Sequence, residues 1–244
     1  MKKNGSKDKF QSILSIKNIY KRTNIPFLRY FSTPFSIVKL RKFVMGISPI
    51  KILDVGCGNS SASKFKDFFP EMQYWGIDRV NYNNREEDFS AMYRFVQADL
   101  ENDSLLQIPD DYFDLVIMAH VVEHLRNYKG VLLKICDKVK TGGYLYIETP
   151  SEASVNFPSR LGILNFFDDP THIIPVPLDE IKKIIESKSM EIMCNGRRKS
   201  PRELLFFPLV ILTDLVHYKT VRGGSLWNLY GFATYALSKK HQLS

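Results

Sequence analysis

The chain has 244 residues and 28.3 kDa, enough to bury a true core in one large domain or one domain with an appendage. With 44% hydrophobic and 25% charged residues its usage is ordinary globular, which excludes intrinsic disorder, collagen-like repeats and a disulfide-dense scaffold. The net charge of +8 is unevenly spread, because residues 1–48 carry 11 Lys/Arg against one acid, 49–196 carry 15 against 23, and 197–244 carry 8 against 2. Two basic ends thus flank an acidic middle, a pattern that suits an anionic partner such as nucleic acid, lipid headgroups or a phosphorylated substrate.

In chain order, residues 9–47 have apolar spacings that predict short amphipathic helices broken around Pro26 and Pro34. From Ile50 the texture changes to strand-length apolar runs, each followed by a helical segment: Ile50–Val55, Gln73–Ile77, Arg94–Gln97, Phe113–Met118 and Tyr144–Glu148. Such alternation predicts a parallel sheet covered on both faces. Ser61 or Ser63 is expected to cap the helix that ends near Phe69, Gly130–Lys140 is expected to be helical before the glycine stop at Gly142-Gly143, and Leu178–Ser187 is expected to form the next helix. Two further strands are expected over Met190–Asn195 and Tyr230–Ser238, separated by the apolar stretch Glu203–Tyr218. That stretch is too short to cross a bilayer, and no signal peptide or run of about 20 apolar residues is visible. Cys57, Cys136 and Cys194 are widely spread with no CxxC pair, so they are read as reduced and the chain as cytoplasmic.

The sharpest local signal is ILDVGCGNSS at residues 52–61, a strand running into glycines and then a helix. Glycines there let backbone approach a ligand closely. The loop is neither GxGxxG, since the third glycine position is Ser61, nor a P-loop. Asp54 at its entry would repel a pyrophosphate and favours a ligand that carries positive charge. Asp78 after the second strand could accept from a ribose diol, and Asp99 after the third from an adenine amino group. Ligands of open α/β sheets bind outside the carboxyl ends of the strands, so the three acids converge on one crevice.

With these segments, followed by YWGID, QADL, FDLVIMAHVVEHL, GGYLYIET and DDPTHIIPVPLDEI, the chain resembles the class I S-adenosylmethionine-dependent methyltransferases, in particular those acting on small molecules and glycans. The resemblance spans roughly Ile50 to Lys240. It implies a Rossmann-like, doubly wound, seven-stranded and mostly parallel α/β sheet with its last strand antiparallel. Residues 49–244 would form this domain, with an apolar insertion near 203–218, preceded by a basic helical extension over 1–48. It also implies S-adenosyl-L-methionine as cofactor, with the methionine moiety near Asp54, Gly56 and Gly58, ribose on Asp78, and adenine beside Asp99 and Leu100. Cys57, inside the loop, and Ala119, at the end of the fourth strand, join the expected cofactor contacts. Ser60 stands where the family often has another glycine.

After the fourth strand, His120, Glu123 and His124 would share one face of a helical turn at i, i+3 and i+4. His172 is a fourth imidazole that could join them in a metal set. The resemblance favours a reaction without metal, His124 often being packed and hydrogen-bonded to backbone in the family; His120, His172 and His124 are the catalytic candidates, with His120 or His172 as general base or with the histidines serving substrate positioning alone. The segment after the fourth strand is Met118-Ala119-His120 rather than an Asn/Asp-Pro-Pro-Tyr/Phe motif, so the resemblance does not extend to the exocyclic-amino nucleobase methyltransferases. The expected reaction is O-methylation of a small-molecule or saccharide acceptor, possible lipid or nucleotide linkage included; a nucleic-acid-binding protein or RNA methyltransferase on the same fold ranks behind it. Arg197, Arg198, Lys199 and Arg202 beside Leu204–Leu212 raise the further expectation of peripheral contact with an anionic membrane.

Overall fold

A computed structural model describes residues 35–242 of the chain. Its elements in order are α1 (Phe35–Val44), β1 (Lys51–Val55), α2 (Ser61–Lys66), β2 (Gln73–Asp78), α3 (Glu86–Ser90), β3 (Arg94–Gln97), β4 (Phe113–Ala119), α4 (Tyr128–Lys138), β5 (Val139–Pro150), α5 (Leu178–Glu186), β6 (Met190–Arg197), α6 (Pro201–Leu205), α7 (Phe207–Tyr218), α8 (Gly223–Tyr230) and β7 (Ala233–Lys240). Single turns of 3₁₀ helix cover Val122–His124, Glu152–Asn156 and Phe166–Asp168.

The seven strands form one sheet in the order β3-β2-β1-β4-β5-β7-β6. The pairs from β3 through to β5 are parallel, whereas β7 runs antiparallel to both β5 and β6. This is the expected Rossmann-like sheet with an antiparallel last strand. The order reverses between β1 and β4, so the carboxyl ends of those two strands open the switch-point crevice where ligands of such sheets bind.

Strand alternation divides the core into two layers. Leu53, Val116 and Leu145 face Leu132, Ile135, Ile181 and Ile185 of α4 and α5, while Ile52, Leu115 and Tyr146 on the opposite face meet Phe65 of α2 and Ile37, Leu40 and Val44 of α1. Phe35 of α1 also packs edge-on against Tyr235 of β7, with ring centroids 5.2 Å apart. This stretch of the basic extension is therefore built into the core. The helices and prolines expected before residue 35, and the lysines there, lie outside the described residues.

Most expected elements appear within two or three residues of the expected bounds, and the exceptions have local causes. Ser61 and Ser63 lie inside α2 and do not cap it; Ser60 holds the N-terminal position in a left-handed conformation, φ 58°. Helix α4 starts two residues early because Asn127 accepts from the Gly130 backbone N–H and caps it. The glycine stop is displaced too, since the chain turns into β5 at Val139 and Gly142-Gly143 lie within that strand. Tyr230 ends α8 instead of opening β7, and Gly231 takes the positive φ that terminates the helix. The apolar stretch between β6 and β7 folds as the three helices α6, α7 and α8.

Candidate active site

The loop after β1 is held by its own neighbourhood. The backbone N–H of Gly56 donates to the Ile77 carbonyl at 2.8 Å, which ties the loop to the end of β2. A Cβ on Gly56 would lie 2.4 Å from Cγ2 of Val121, and one on Gly58 would lie 2.8 Å from the Tyr82 carbonyl, so both positions require glycine. Asn59 and Ser60 follow with φ of 59° and 58°. Serine is costly there, and side-chain bonding holds it in place. Its hydroxyl donates to Asp88 at 2.9 Å, and its N–H to Asn84 Oδ1 at 3.1 Å. Asp88 is fully buried, and Ser63 and the Arg85 N–H also donate to it. Burial favours its protonated form, but these donors hold its pKa below the ordinary carboxylate value.

Asp54 is buried beneath the loop, where it accepts from the hydroxyls of Ser61 and Tyr74. Desolvation pushes its pKa up to about 6, against the lowering effect of those two donors. An acid that loses hydration this way gains most from a cation placed beside it. The Cys57 side chain turns under β2, where it would meet a Cβ on Gly76 at 2.5 Å, and burial pushes its thiol far above the ordinary range. Only the backbone of Cys57 therefore faces the loop side. Asp78 stands at the end of β2 and is partly exposed, with one long contact of 3.4 Å from the Val80 N–H.

Asp99 has a structural occupation that strand-end position alone did not reveal. It accepts from the Glu101 N–H at 2.9 Å and from Asn102, and these bonds lower its pKa. The carboxylate thus anchors the turn after β3. Leu100 is partly buried against the core, and Ala119 closes β4.

Across the switch point, the three residues expected on one helical face are separated. His120 has φ 56°, and its N–H donates to the Glu148 carbonyl at 2.8 Å, which takes it out of any helix. The helical turn is only Val122–His124. His120 and Glu123 still meet, with Nδ1 3.1 Å from one Glu123 oxygen, while Nε2 lies 3.2 Å from Glu148. Arg198 bonds Glu148 at 2.9 Å, and Tyr146 donates to it as well. Burial alone would lower the His120 pKa, but its bonds to the two carboxylates outweigh that and raise it to about 9. Burial would likewise raise Glu148, yet Arg198 and His120 pull it down to about 2. At neutral pH His120 is an imidazolium with both nitrogens donating. Both ring nitrogens are taken up by carboxylates, an arrangement that suits a donor and disfavours the expected role as general base.

His124 and His172 form a second pair, with ring centroids 4.9 Å apart. The Nδ1 of His124 lies 3.1 Å from the Thr171 carbonyl, the backbone bond expected for it, and Nδ1 of His172 lies 2.6 Å from the Phe166 carbonyl. A carbonyl only accepts, so both rings donate from Nδ1, and Nε2 of His172 lies 3.9 Å from Asp169. Glu123, His124 and His172 each bring one ligand atom within 4.8 Å of the others, a set able to hold a divalent ion; His120 lies outside it.

Four residues of this half were not expected in the site: Tyr146, Glu148 and Trp227, and Arg198, which was expected at a membrane surface. The Trp227 ring lies 5.2 Å from that of His120 and 4.5 Å from Phe232, and its Nε1 donates to the Ile163 carbonyl. Helix α8 thereby becomes one wall of the site. The only signal available was the acid at the end of the fifth strand, Glu148, which repeats the pattern of Asp54 and Asp78.

A doubly wound sheet with a glycine loop at its switch point, a buried acid beneath that loop and an open acid after the second strand defines a class I S-adenosylmethionine-dependent methyltransferase. A family model described as "Methyltransferase domain" matches residues 34–188, and the chain belongs to this family. The matched region is a methyltransferase domain. The chain is 25% identical over 129 residues to the ubiquinone biosynthesis O-methyltransferase of Rickettsia typhi (strain ATCC VR-144 / Wilmington), covering 50% of each. It is also 25% identical over 148 residues to the mitochondrial ubiquinone biosynthesis O-methyltransferase of Homo sapiens, covering 58% of this chain and 39% of that protein. The match thus spans half or less of each curated relative's length. A solved S-adenosylmethionine-dependent methyltransferase from Archaeoglobus fulgidus shares the fold, with a TM-score of 0.50 and 21% identity over 96% of this chain and 100% of the other.

Proposed function

We propose that the enzyme methylates a hydroxyl oxygen of a small-molecule or saccharide acceptor in the crevice beyond β1 and β4. The observation that carries this reading is the ring of His172, whose Nδ1 is fixed on the Phe166 carbonyl, so that Nε2, beside Glu123 and His124 and 3.9 Å from Asp169, is the nitrogen that would take the proton. An amine acceptor has its own lone pair; a hydroxyl gains most from a partner that takes its proton during transfer. Both curated relatives are named O-methyltransferases, which supports oxygen as the acceptor atom.

The residues of the loop fit the cofactor. Glycine is obligatory at Gly56 and Gly58, and Asp54 lacks a cationic partner strong enough to keep its pKa from rising. Asp54 would face the cationic methionine moiety, with the backbone of Gly56, Cys57 and Gly58 alongside. Asp78 would accept from the ribose diol, and Asp99, Leu100 and Ala119 would flank the adenine. When bound, S-adenosylmethionine supplies a methyl group already activated on a sulfonium. The protein's own tasks are then alignment, exclusion of water and a place for the hydroxyl proton. His120 would hold Glu123 and Glu148 in place as a positioning residue, the backbone carbonyl of Glu123 accepts from the Ile173 N–H next to His172, and Trp227 would wall the acceptor side.

The test is a screen of phenols, saccharides, amines and RNA with methyl-labelled cofactor, run with and without a strong chelator. The reading predicts label on a hydroxyl oxygen and unchanged turnover under chelation. Label on nitrogen or on RNA would overturn it. Loss of activity on chelation, restored by one divalent ion, would instead make Glu123, His124 and His172 a metal centre.

A further inference from the structure

Helix α7 has its polarity inverted. Of its twelve residues only Asp214 is buried, at 1% exposure, where it accepts from the N–H and Nε of Arg222 at 2.9 Å each. Phe207, Val210 and Ile211 are half-buried, but a second apolar set faces outward: Leu209, Leu212 and Val216 recur at i, i+3 and i+7, Leu215 lies beside them, and Leu205 at the end of α6 precedes Leu209 by four residues; all five are exposed. A helix on the surface of a water-soluble protein turns its apolar stripe inward and its charges outward. Scattered exposed leucines need no explanation, but a stripe in helical register with the acid turned inward does.

We propose that the outer face of α6 and α7 is an interfacial element that seats the enzyme on an anionic lipid surface. The charge around this face is complementary to such a surface. Lys219 ends α7 and is exposed; Arg197 and Lys199 are exposed, with their side chains beside Gly231 at the end of α8. Residues 197–244 contain only two acids, and both are engaged by the protein, Asp214 with Arg222 and Glu203 with Asn228 and Arg198. A lipid headgroup layer therefore meets cations around an apolar stripe. Arg198, expected among the membrane-facing cations, is committed inward to Glu148, which corrects that part of the expectation. The side chain of Arg202 lies outside the described residues. No helix among the described residues is long and apolar enough to cross a membrane, and a helix of twelve residues lying in the interface does not need to be.

The next helix in the chain, α8, carries Trp227 against His120. If the acceptor reading above holds, the seated enzyme would receive a lipophilic or lipid-linked acceptor directly from the lipid surface; the surface inference itself does not depend on that reading. The test is co-sedimentation of the full chain with vesicles of phosphatidylcholine alone and of phosphatidylcholine with phosphatidylglycerol, at low and high salt. Affinity for S-adenosylhomocysteine is measured on the same preparations. Retention on the anionic vesicles is expected, weakened by salt, and at least about tenfold weaker in L212Q/V216Q with S-adenosylhomocysteine affinity unchanged. A chain that stays in the supernatant with anionic vesicles at low salt overturns the proposal, whether light scattering then shows a dimer covering the face or a monomer in which residues 1–34 cover it. Equal retention of L212Q/V216Q also overturns it. Because retention is read without turnover, a failed acceptor screen would leave this result standing.

Discussion

The two sides of the switch point are built differently. On the β1–β2 side the bonds that shape the loop join residues 7 to 28 positions apart, Asp54 with Ser61 and Tyr74, and Ser60 and Ser63 with Asp88. On the β4–β7 side the bond of His120 to Glu148 also spans 28 residues, but Glu148 is held by Arg198, 50 residues away, and Trp227 by Ile163, 64 residues away. The first side, proposed to hold the cofactor, is encoded within one stretch, residues 54–88. The second, proposed to hold the acceptor, is assembled from parts of the chain that only the fold brings together.

The largest expected effect falls on the contiguous side. Gly56→Val should reduce affinity for S-adenosylhomocysteine by more than about 100-fold in calorimetry, because its Cβ would collide with Val121 and its φ of 78° is closed to a β-branched residue. Retained affinity would mean that the loop does not cradle the cofactor. Asp78→Ala should cost less, about 1.5 to 3 kcal/mol of cofactor binding, the value of charge-assisted bonds to the ribose. The loss should appear in Kd without a change in Tm.

On the distant side, His120→Gln should lower stability by about 2 kcal/mol, since it leaves Glu123 and Glu148 facing each other without the cation between them. The pH dependence has a definite sign. The folded pKa of about 9 exceeds the ordinary 6.5, so this stabilisation is complete below pH 6.5 and is lost as pH rises through about 9. Tm should therefore fall between pH 6.5 and 9 in the wild type and less steeply in His120→Gln; parallel curves would contradict the imidazolium assignment. The smallest effect concerns Asp54. Its pKa of about 6 means that it is ionised only above that pH, so cofactor affinity should rise a few-fold from pH 5 to pH 7 and then level off. A flat profile would separate Asp54 from the cationic end of the ligand.

The same contrast decides how much the sequence revealed. Strand periodicity and the glycine spacing located all seven strands and the acids at their ends, because these signals are local. Ser60 was read as a departure from glycine, and it is one chemically but not conformationally: the buried Asp88, 28 residues on, holds it at a positive φ. The helical reading of His120, Glu123 and His124 failed because a backbone bond to Glu148 overrode local spacing. Glu148, Arg198 and Trp227 had no common motif to announce them, since an ion pair between β5 and the chain after β6 has no sequence period. The inversion of α7 was hidden for a related reason, as its composition alone cannot say which way Asp214 points.

The measurement that bears most directly on the account is the comparison of cofactor affinity and turnover in His172→Ala, made on one preparation with the acceptor found by the screen. If the two sides of the switch point divide the work between holding the cofactor and accepting the hydroxyl proton, S-adenosylhomocysteine affinity should be unchanged while kcat falls roughly 10²-fold. Unaltered kcat, or a loss of affinity matching the loss of turnover, would contradict that division.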